Sequence, residues 1–194
     1  MNRRFSTTRE TRETMIRVDL DLDGTGQAQV RTGLGFLDHL LTALVRHARF
    51  DLELACDGDL HVDDHHTAED CALVIGSALD SALGDRRGIA RFGEAHAPLD
   101  EALARAVVDL SGRPMPIIDL GLARPSIGGL SSEMVTHVLK SLAVAGRMAL
   151  HVDVLRGDND HHKAEAAFKA TALALRRAVA LDGSDEIPST KGML

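Results

Sequence analysis

His65-His66-Thr67-Ala68-Glu69 and His161-His162-Lys163-Ala164-Glu165 are two copies of one pattern, His-His-x-x-Glu. Each opens a stretch of helical period: Leu73, Val74, Ala78 and Leu79 follow the first copy, and Phe168, Leu173, Leu175 and Val179 the second. Upstream, Asp38-His39-Leu40-Leu41 aligns with Thr136-His137-Val138-Leu139, and the two motif copies then agree to within a two-residue difference in the intervening loop. Two blocks repeated in the same order at nearly the same spacing mark an internal duplication.

The elements around these blocks follow the same order twice. Ile16, Val18, Leu20 and Leu22 alternate with Arg17, Asp19, Asp21 and Asp23, the period of a strand with one wet face. Asp23-Gly24-Thr25-Gly26 turns the chain into a second strand through Ala28 and Val30, read as the return arm of a hairpin. Leu37, Leu40, Leu41, Leu44 and Val45 then predict a helix, Phe50, Leu52 and Leu54 a strand, and the segment from Asp64 to Leu83 a second helix. The second half offers extended segments at Arg91 to Ala97 and Arg105 to Leu110. A helix through Val135, Val138, Leu139 and Leu142 follows, then a strand from Met148 to Val154 and a closing helix from Asp160 to Leu181, with Gly183 as its stop. The expectation is an α/β fold, an α+β sandwich of duplicated β-β-α-β-α halves related by a pseudo-twofold. It forms a single unit with repeats at about 10–90 and 91–185. The segments Ser111 to Pro116 and Arg124 to Gly129 read as interruptions too short to be linkers, and Met1 to Glu10 as a polar tail.

Composition narrows the function. The 194 residues carry a net charge of −7 at a pI near 5.8, with no basic stripe, which argues against a general nucleic-acid binder. No apolar run approaches a membrane span, and the N-terminus has no apolar core of a signal peptide, so a soluble cytoplasmic protein is expected. Cys56 and Cys71 are too few for a disulfide framework. Ten histidines stand beside no Trp and no Tyr. His61, His96 and His151 read as scattered surface residues; the others call for an explanation.

On a helix, His65 or His66 can share a face with Glu69, whereas the two neighbouring rings point about 100° apart. Each His-His pair should therefore serve two ions. With His39 and His137 the inventory is six histidines and two glutamates, or three imidazoles and one carboxylate for each of two metals. That donor set suits first-row transition ions better than calcium or magnesium. Four ligands also close a structural zinc site, and a lone His-His pair more often caps a helix or bonds an aspartate; the duplication weighs against the latter. Asp38, Asp64, Asp70 and Asp160 are placed to accept a ligand's other ring N–H, although Asp63, Asp64, Asp158 and Asp160 also read as N-caps.

Five blocks together resemble the imidazoleglycerol-phosphate dehydratase family: Phe36-Leu37-Asp38-His39-Leu40-Leu41, His65-His66-Thr67-Ala68-Glu69-Asp70, Asp109-Leu110-Ser111-Gly112-Arg113-Pro114, His161-His162 through Ala170, and Pro188-Ser189-Thr190-Lys191-Gly192. Two small departures, Gly35 where a Pro before the Phe is common and Leu40 where Met is usual, touch no proposed ligand. The resemblance implies a ribosomal-S5-domain-2-like duplicated fold and a 24-subunit homo-oligomer with active sites at its interfaces. It implies dehydration of imidazole glycerol phosphate to imidazole acetol phosphate with two manganese ions per active site. One ion would take His39, His66, Glu69 and His161, the other His65, His137, His162 and Glu165. The hydrogen removed has no adjacent carbonyl to acidify it, so the ring itself, as a di-metal-bound imidazolate, would expel the hydroxyl through a diazafulvene-like intermediate. Glu13 would shuttle protons. Arg91, Arg113, Lys169, Ser189 and Lys191 would hold the phosphate, the last two on a C-terminal tail at 186–194, with His47 and Gln27 near the substrate. Two other readings of the same residues are a dinuclear hydrolase and a metal-storage or structural metalloprotein.

Overall fold

The computed structural model describes residues 3–194. Its elements run β1 (Arg4–Glu10), β2 (Thr14–Asp21), β3 (Ala28–Arg31), α1 (Gly35–Ala48), β4 (Asp51–Gly58) and α2 (His65–Leu83). The second set is β5 (Phe92–Leu99), β6 (Ala102–Asp109), β7 (Met115–Asp119), the short pair β8 (Ser126–Ile127) and β9 (Leu130–Ser131), α3 (Ser132–Ala145), β10 (Ala149–Arg156) and α4 (Asp160–Ala178). The two four-stranded sheets have equivalent orders, β1-β2-β4-β3 and β5-β6-β10-β7. Register repeats as well: Val18 faces Leu54 in the first sheet, and its counterpart Ala106 faces Val152 in the second.

Each four-stranded sheet thus carries one strand more than the alternation predicted, in the order β-β-β-α-β-α, and the second half adds the short pair β8 and β9 as well. In the first half the extra sheet strand is β1, which lies in the supposed tail; in the second it is β7, which begins at the end of the supposed interruption Ser111 to Pro116 and runs beyond it. Both sit at sheet edges, where a strand needs no apolar alternation to hold its place. The expected hairpin between the strands at 15–23 and 28–30 does not form. β4 inserts between them, antiparallel to β2 and parallel to β3. The parallel pairing requires a crossover, and α1 supplies it.

Alternation sends Ile16, Val18, Leu20, Leu52 and Leu54 to one face of the first sheet, where α1 and α2 cover them; α3 and α4 cover the second sheet. The helix pairs then stack back to back, α1 on α4 and α2 on α3, giving four layers with the core inside and one face of each sheet outside. Two glycines permit the closest approaches. A Cβ at Gly76 would lie 2.6 Å from the Leu142 carbonyl where α2 meets α3, and one at Gly93 would collide with the Ala174 carbonyl where β5 meets α4. Alanines at 164, 166, 167, 170, 172, 174 and 178 of α4 are fully buried, so this helix lies close on β5 and β6. The closing helix ends at Ala178, short of the expected Leu181, which instead bridges to Ile89.

Candidate metal centre

The starts of α2 and α4 are fixed before any ligand is considered. Asp63 accepts the His65 N–H at 2.8 Å and Asn159 accepts the His161 N–H at 2.9 Å, so these side chains cap the helices. Asp64 and Asp160 do not. The Asp64 carboxylate accepts the Ser131 N–H and hydroxyl at 2.5 and 3.0 Å, tying α2 to the start of α3. The buried Asp160 accepts the N–H groups of Ala123 and Arg124 at 2.8 and 2.6 Å. Asp38 turns to Thr32, accepting its hydroxyl at 2.6 Å, and Asp70 to the Thr14 hydroxyl at 2.5 Å and Arg9 at 2.7 Å. None of the four aspartates expected to back a ligand does so.

Anchored in this way, the helices bring the motif residues into two groups. His39 Nε2 lies 2.8 Å and His161 Nε2 3.2 Å from Glu165 Oε2. His137 Nε2 lies 2.7 Å from Glu69 Oε1, and His65 Nε2 3.8 Å from Glu69 Oε2. In each group the three donor atoms lie within 4.8 Å of one another, a set of two imidazoles and one carboxylate able to hold a transition-metal ion with coordination positions to spare. His39 meets His161 and His65 meets His137, as in the expected partition, but the glutamates have changed places. Glu165 sits with His39 and His161, and Glu69 with His65 and His137. The cause is local: each glutamate is four residues from the first histidine of its own motif and stays on that helix face.

The second histidine of each motif turns away. Neighbouring rings stand nearly perpendicular, at 84° for His65 and His66 and 87° for His161 and His162. His66 Nδ1 lies 2.9 Å from Asp59 Oδ2 and its Nε2 3.8 Å from Glu13. His162 Nδ1 lies 2.7 Å from Glu101 Oε2 and its Nε2 3.7 Å from Asp100. The adjacent carboxylates raise the pKa of both rings. Asp59 and Glu101 lie in turns and follow no spacing rule relative to the motifs, so sequence reasoning missed them. Phe36, whose ring centroid is 5.0 Å from that of His161, was missed as a wall of the site because it reads as core.

Charge is distributed unevenly. Burial pushes the Glu165 carboxyl up, but the Lys169 ammonium at 2.7 Å and the His39 ring outweigh it and hold the group at about 2. Lys169 thus points at a proposed ligand, and beside it His47 is lowered by burial and by the Lys169 charge. The other expected phosphate contacts gather at the end of the second sheet. Arg91 donates to Asp109 at 2.7 and 3.1 Å and to the Pro188 carbonyl at 2.8 Å, drawing the C-terminal segment against β6. A Cβ at Gly112 would lie 2.7 Å from the Leu194 carbonyl carbon, so the same segment folds over the Ser111-Gly112 turn, next to Arg113. Ser189 Oγ accepts the Lys191 N–H at 3.2 Å and Lys191 is exposed. Glu13 is exposed at the β1–β2 turn, its N–H bonded to Thr11 Oγ1 at 3.1 Å.

A duplicated α/β scaffold that converges imidazoles and carboxylates into two related three-donor groups is that of a protein able to hold metal ions at two places, consistent with a metal-dependent enzyme. The comparisons with known proteins give the family. Residues 32–175 match the family model for imidazoleglycerol-phosphate dehydratase. An imidazoleglycerol-phosphate dehydratase of Candida glabrata is 53% identical over 96% of this chain and 97% of its own length. One of Phytophthora nicotianae is 62% identical over 99% of this chain, which spans 42% of that longer relative. Crystal structures of the enzymes from Staphylococcus aureus and Pyrococcus furiosus superpose with TM-scores of 0.83 at 32% and 33% identity, covering 92% and 97% of this chain and 99% and 100% of theirs. The chain belongs to the imidazoleglycerol-phosphate dehydratase family, hydro-lyases of histidine biosynthesis.

Proposed function

We propose that this chain dehydrates D-erythro-imidazole glycerol phosphate to imidazole acetol phosphate with two manganese ions per active site. The observation that carries the reading is the pair of equivalent three-donor groups, His39/His161/Glu165 and His65/Glu69/His137, each built from both repeats of one duplicated scaffold. Manganese bound there would supply Lewis-acid polarisation to the substrate imidazole.

The chain's own residues account for the remaining tasks. Glu13, exposed at the β1–β2 turn within 3.8 Å of His66 Nε2, is placed to receive and return the side-chain proton. Arg91, Arg113, Ser189 and Lys191, brought together by the fold of 186–194 over the second sheet, offer the cations and donors a phosphate requires. Lys169 and His47 supply further positive charge and a ring beside Glu165.

Each three-donor group lacks the fourth ligand of the expected set, while His66 and His162 face away from both groups of their own chain. This supports a homo-oligomer, a 24-mer as in the family, in which His66 completes the Glu165 group and His162 the Glu69 group of neighbouring copies. Residues 1–194 then act as one catalytic unit of two fused repeats, with 186–194 as its phosphate-binding tail. Free thiols at Cys56 and Cys71 suit a reducing cytoplasm, and among the described residues no helix is long and apolar enough to cross a membrane.

The test is to incubate the manganese-loaded protein with imidazole glycerol phosphate and follow the ketone product. Release of inorganic phosphate without ketone would replace dehydration by hydrolysis, and no turnover with retained metal would leave a storage or structural role.

A further inference from the structure

The two outward histidines hold the same position in their repeats, yet the carboxylates that grip them come from different places. His162 Nδ1 is held at 2.7 Å by Glu101, in the turn between β5 and β6. The register that matches Val18–Leu54 to Ala106–Val152 places Glu13, in the turn between β1 and β2, as the counterpart of Glu101. Glu13 does not take the equivalent role. His66 Nδ1 is held at 2.9 Å by Asp59, just after β4, and Glu13 stands 3.8 Å from the other ring nitrogen.

An ionised carboxylate only accepts hydrogen bonds, so in both pairs Nδ1 carries the proton. In the neutral ring this leaves the lone pair on Nε2, the nitrogen directed away from the carboxylate. We propose that Asp59 and Glu101 are positioning residues that fix the Nδ1–H tautomer and the orientation of His66 and His162, so that each presents Nε2 to a metal held by another copy of the chain. Moving this task from the hairpin turn to Asp59 in the first repeat leaves Glu13 free for substrate. The inference rests on the metal scheme proposed above.

The two supports differ in construction. Glu101 Oε1 accepts the N–H groups of Asp158 and Asn159 at 3.1 and 2.9 Å, and the Asn159 N–H, followed by the His162 ring, holds the carboxyl down at about 2. Asp59 Oδ1 is buried and has no hydrogen-bond partner. The isosteric amide therefore has opposite consequences at the two positions. In Glu101→Gln the backbone donors retain the amide oxygen, and the NH2 group is turned to His162 Nδ1. That selects the Nε2–H tautomer, in which no lone pair faces outward. In Asp59→Asn nothing holds the second position, so the amide can turn its oxygen to His66 and keep the productive tautomer.

The experiment is equilibrium dialysis of the intact protein against graded manganese, with bound metal read by elemental analysis and folding checked by thermal melts. Glu101→Gln should weaken one of the two ions per subunit by about 10- to 100-fold and leave the other unchanged. Asp59→Ala should weaken the other ion by a similar factor, and Asp59→Asn by only a few-fold. If Glu101→Gln and Asp59→Ala both take up two ions with wild-type affinity, the positioning role is overturned while the metal scheme stands. If the wild type itself takes up no manganese, the metal scheme fails and this inference falls with it.

Discussion

Glu69 and Glu165 occupy the same place in two copies of one motif, each beside the first histidine of its own helix and one histidine from the other helix pair. Their surroundings have nevertheless diverged. Glu165 is mostly buried and paired with Lys169, whereas at Glu69 the equivalent position is Leu73 and the carboxylate is one-third exposed. Phe36 stacks near His39 and His161, where the other group has Met134 in that position. Duplication conserved the ligand frame, and the residues one helical turn away were free to change. One group therefore carries a built-in cation and an aromatic wall, features suited to the charged, ring-containing substrate, while the other has only its three donors.

The largest expected effect asks whether both groups are required. Glu165→Ala and Glu69→Ala should each reduce dehydration to background and remove one of two manganese ions per subunit by elemental analysis. Retention of activity by either variant would show that the repeats are unequal in chemistry as well as in surroundings. Chelation should disperse the assembly, since each ion is proposed to join two copies; a chelated sample sedimenting at full size would remove the metals from the interface. Next comes the packing behind the sites. Phe168 is fully buried where the first repeat has Ala72, and Phe168→Ala should lower unfolding free energy by about 3–5 kcal/mol in denaturant melts.

A smaller, pH-dependent difference lies at the central strands. Asp51 of β4 stands where β10 has Ala149. Burial pushes Asp51 up, but the N–H groups of Gln27, Thr25 and Gly26 outweigh it, so its pKa lies below the ordinary value. A depressed carboxyl contributes stability that is present above the unfolded pKa, near 4, and lost as pH falls below it. The stability gap between wild type and Asp51→Asn should therefore be constant at neutral pH and close during acid titration. The smallest effect is on the sheet surfaces. Arg17 faces Ala55, whereas its counterpart Arg105 pairs with Asp153 at 2.8 Å. Arg105 is exposed and Asp153 half-buried, and Arg105→Ala should cost no more than about 1 kcal/mol.

The perpendicular His-His pairs and the duplicated order were legible in the sequence, because helical geometry fixes where neighbouring side chains point and the repeat fixes the frame. Within the chain each glutamate groups with the histidines opposite to the expected partition, since its neighbours depend on which face α2 and α4 turn to α3 and α1, a tertiary fact. The supporting carboxylates were missed for a related reason. Asp38, Asp64, Asp70 and Asp160 adjoin ligands in sequence, but a neighbour on a helix projects about 100° away, and each found a backbone or hydroxyl donor there. β1 and β7 escaped because an edge strand with both faces partly wet leaves little periodic signal: in β1 Arg4, Ser6 and Thr8 are exposed on one face, and on the other Phe5 and Thr7 are only half-buried and Arg9 is exposed.

The right angle between adjacent histidine rings has an arithmetic consequence for assembly. On the proposed scheme every copy carries two sockets, the three-donor groups, and two plugs, His66 and His162. Plugs and sockets are equal in number for any count of copies, so every socket can be filled only where the arrangement closes on itself. An open chain or sheet leaves an unfilled site at each free end, and the ligands themselves then favour a finished shell over a growing array.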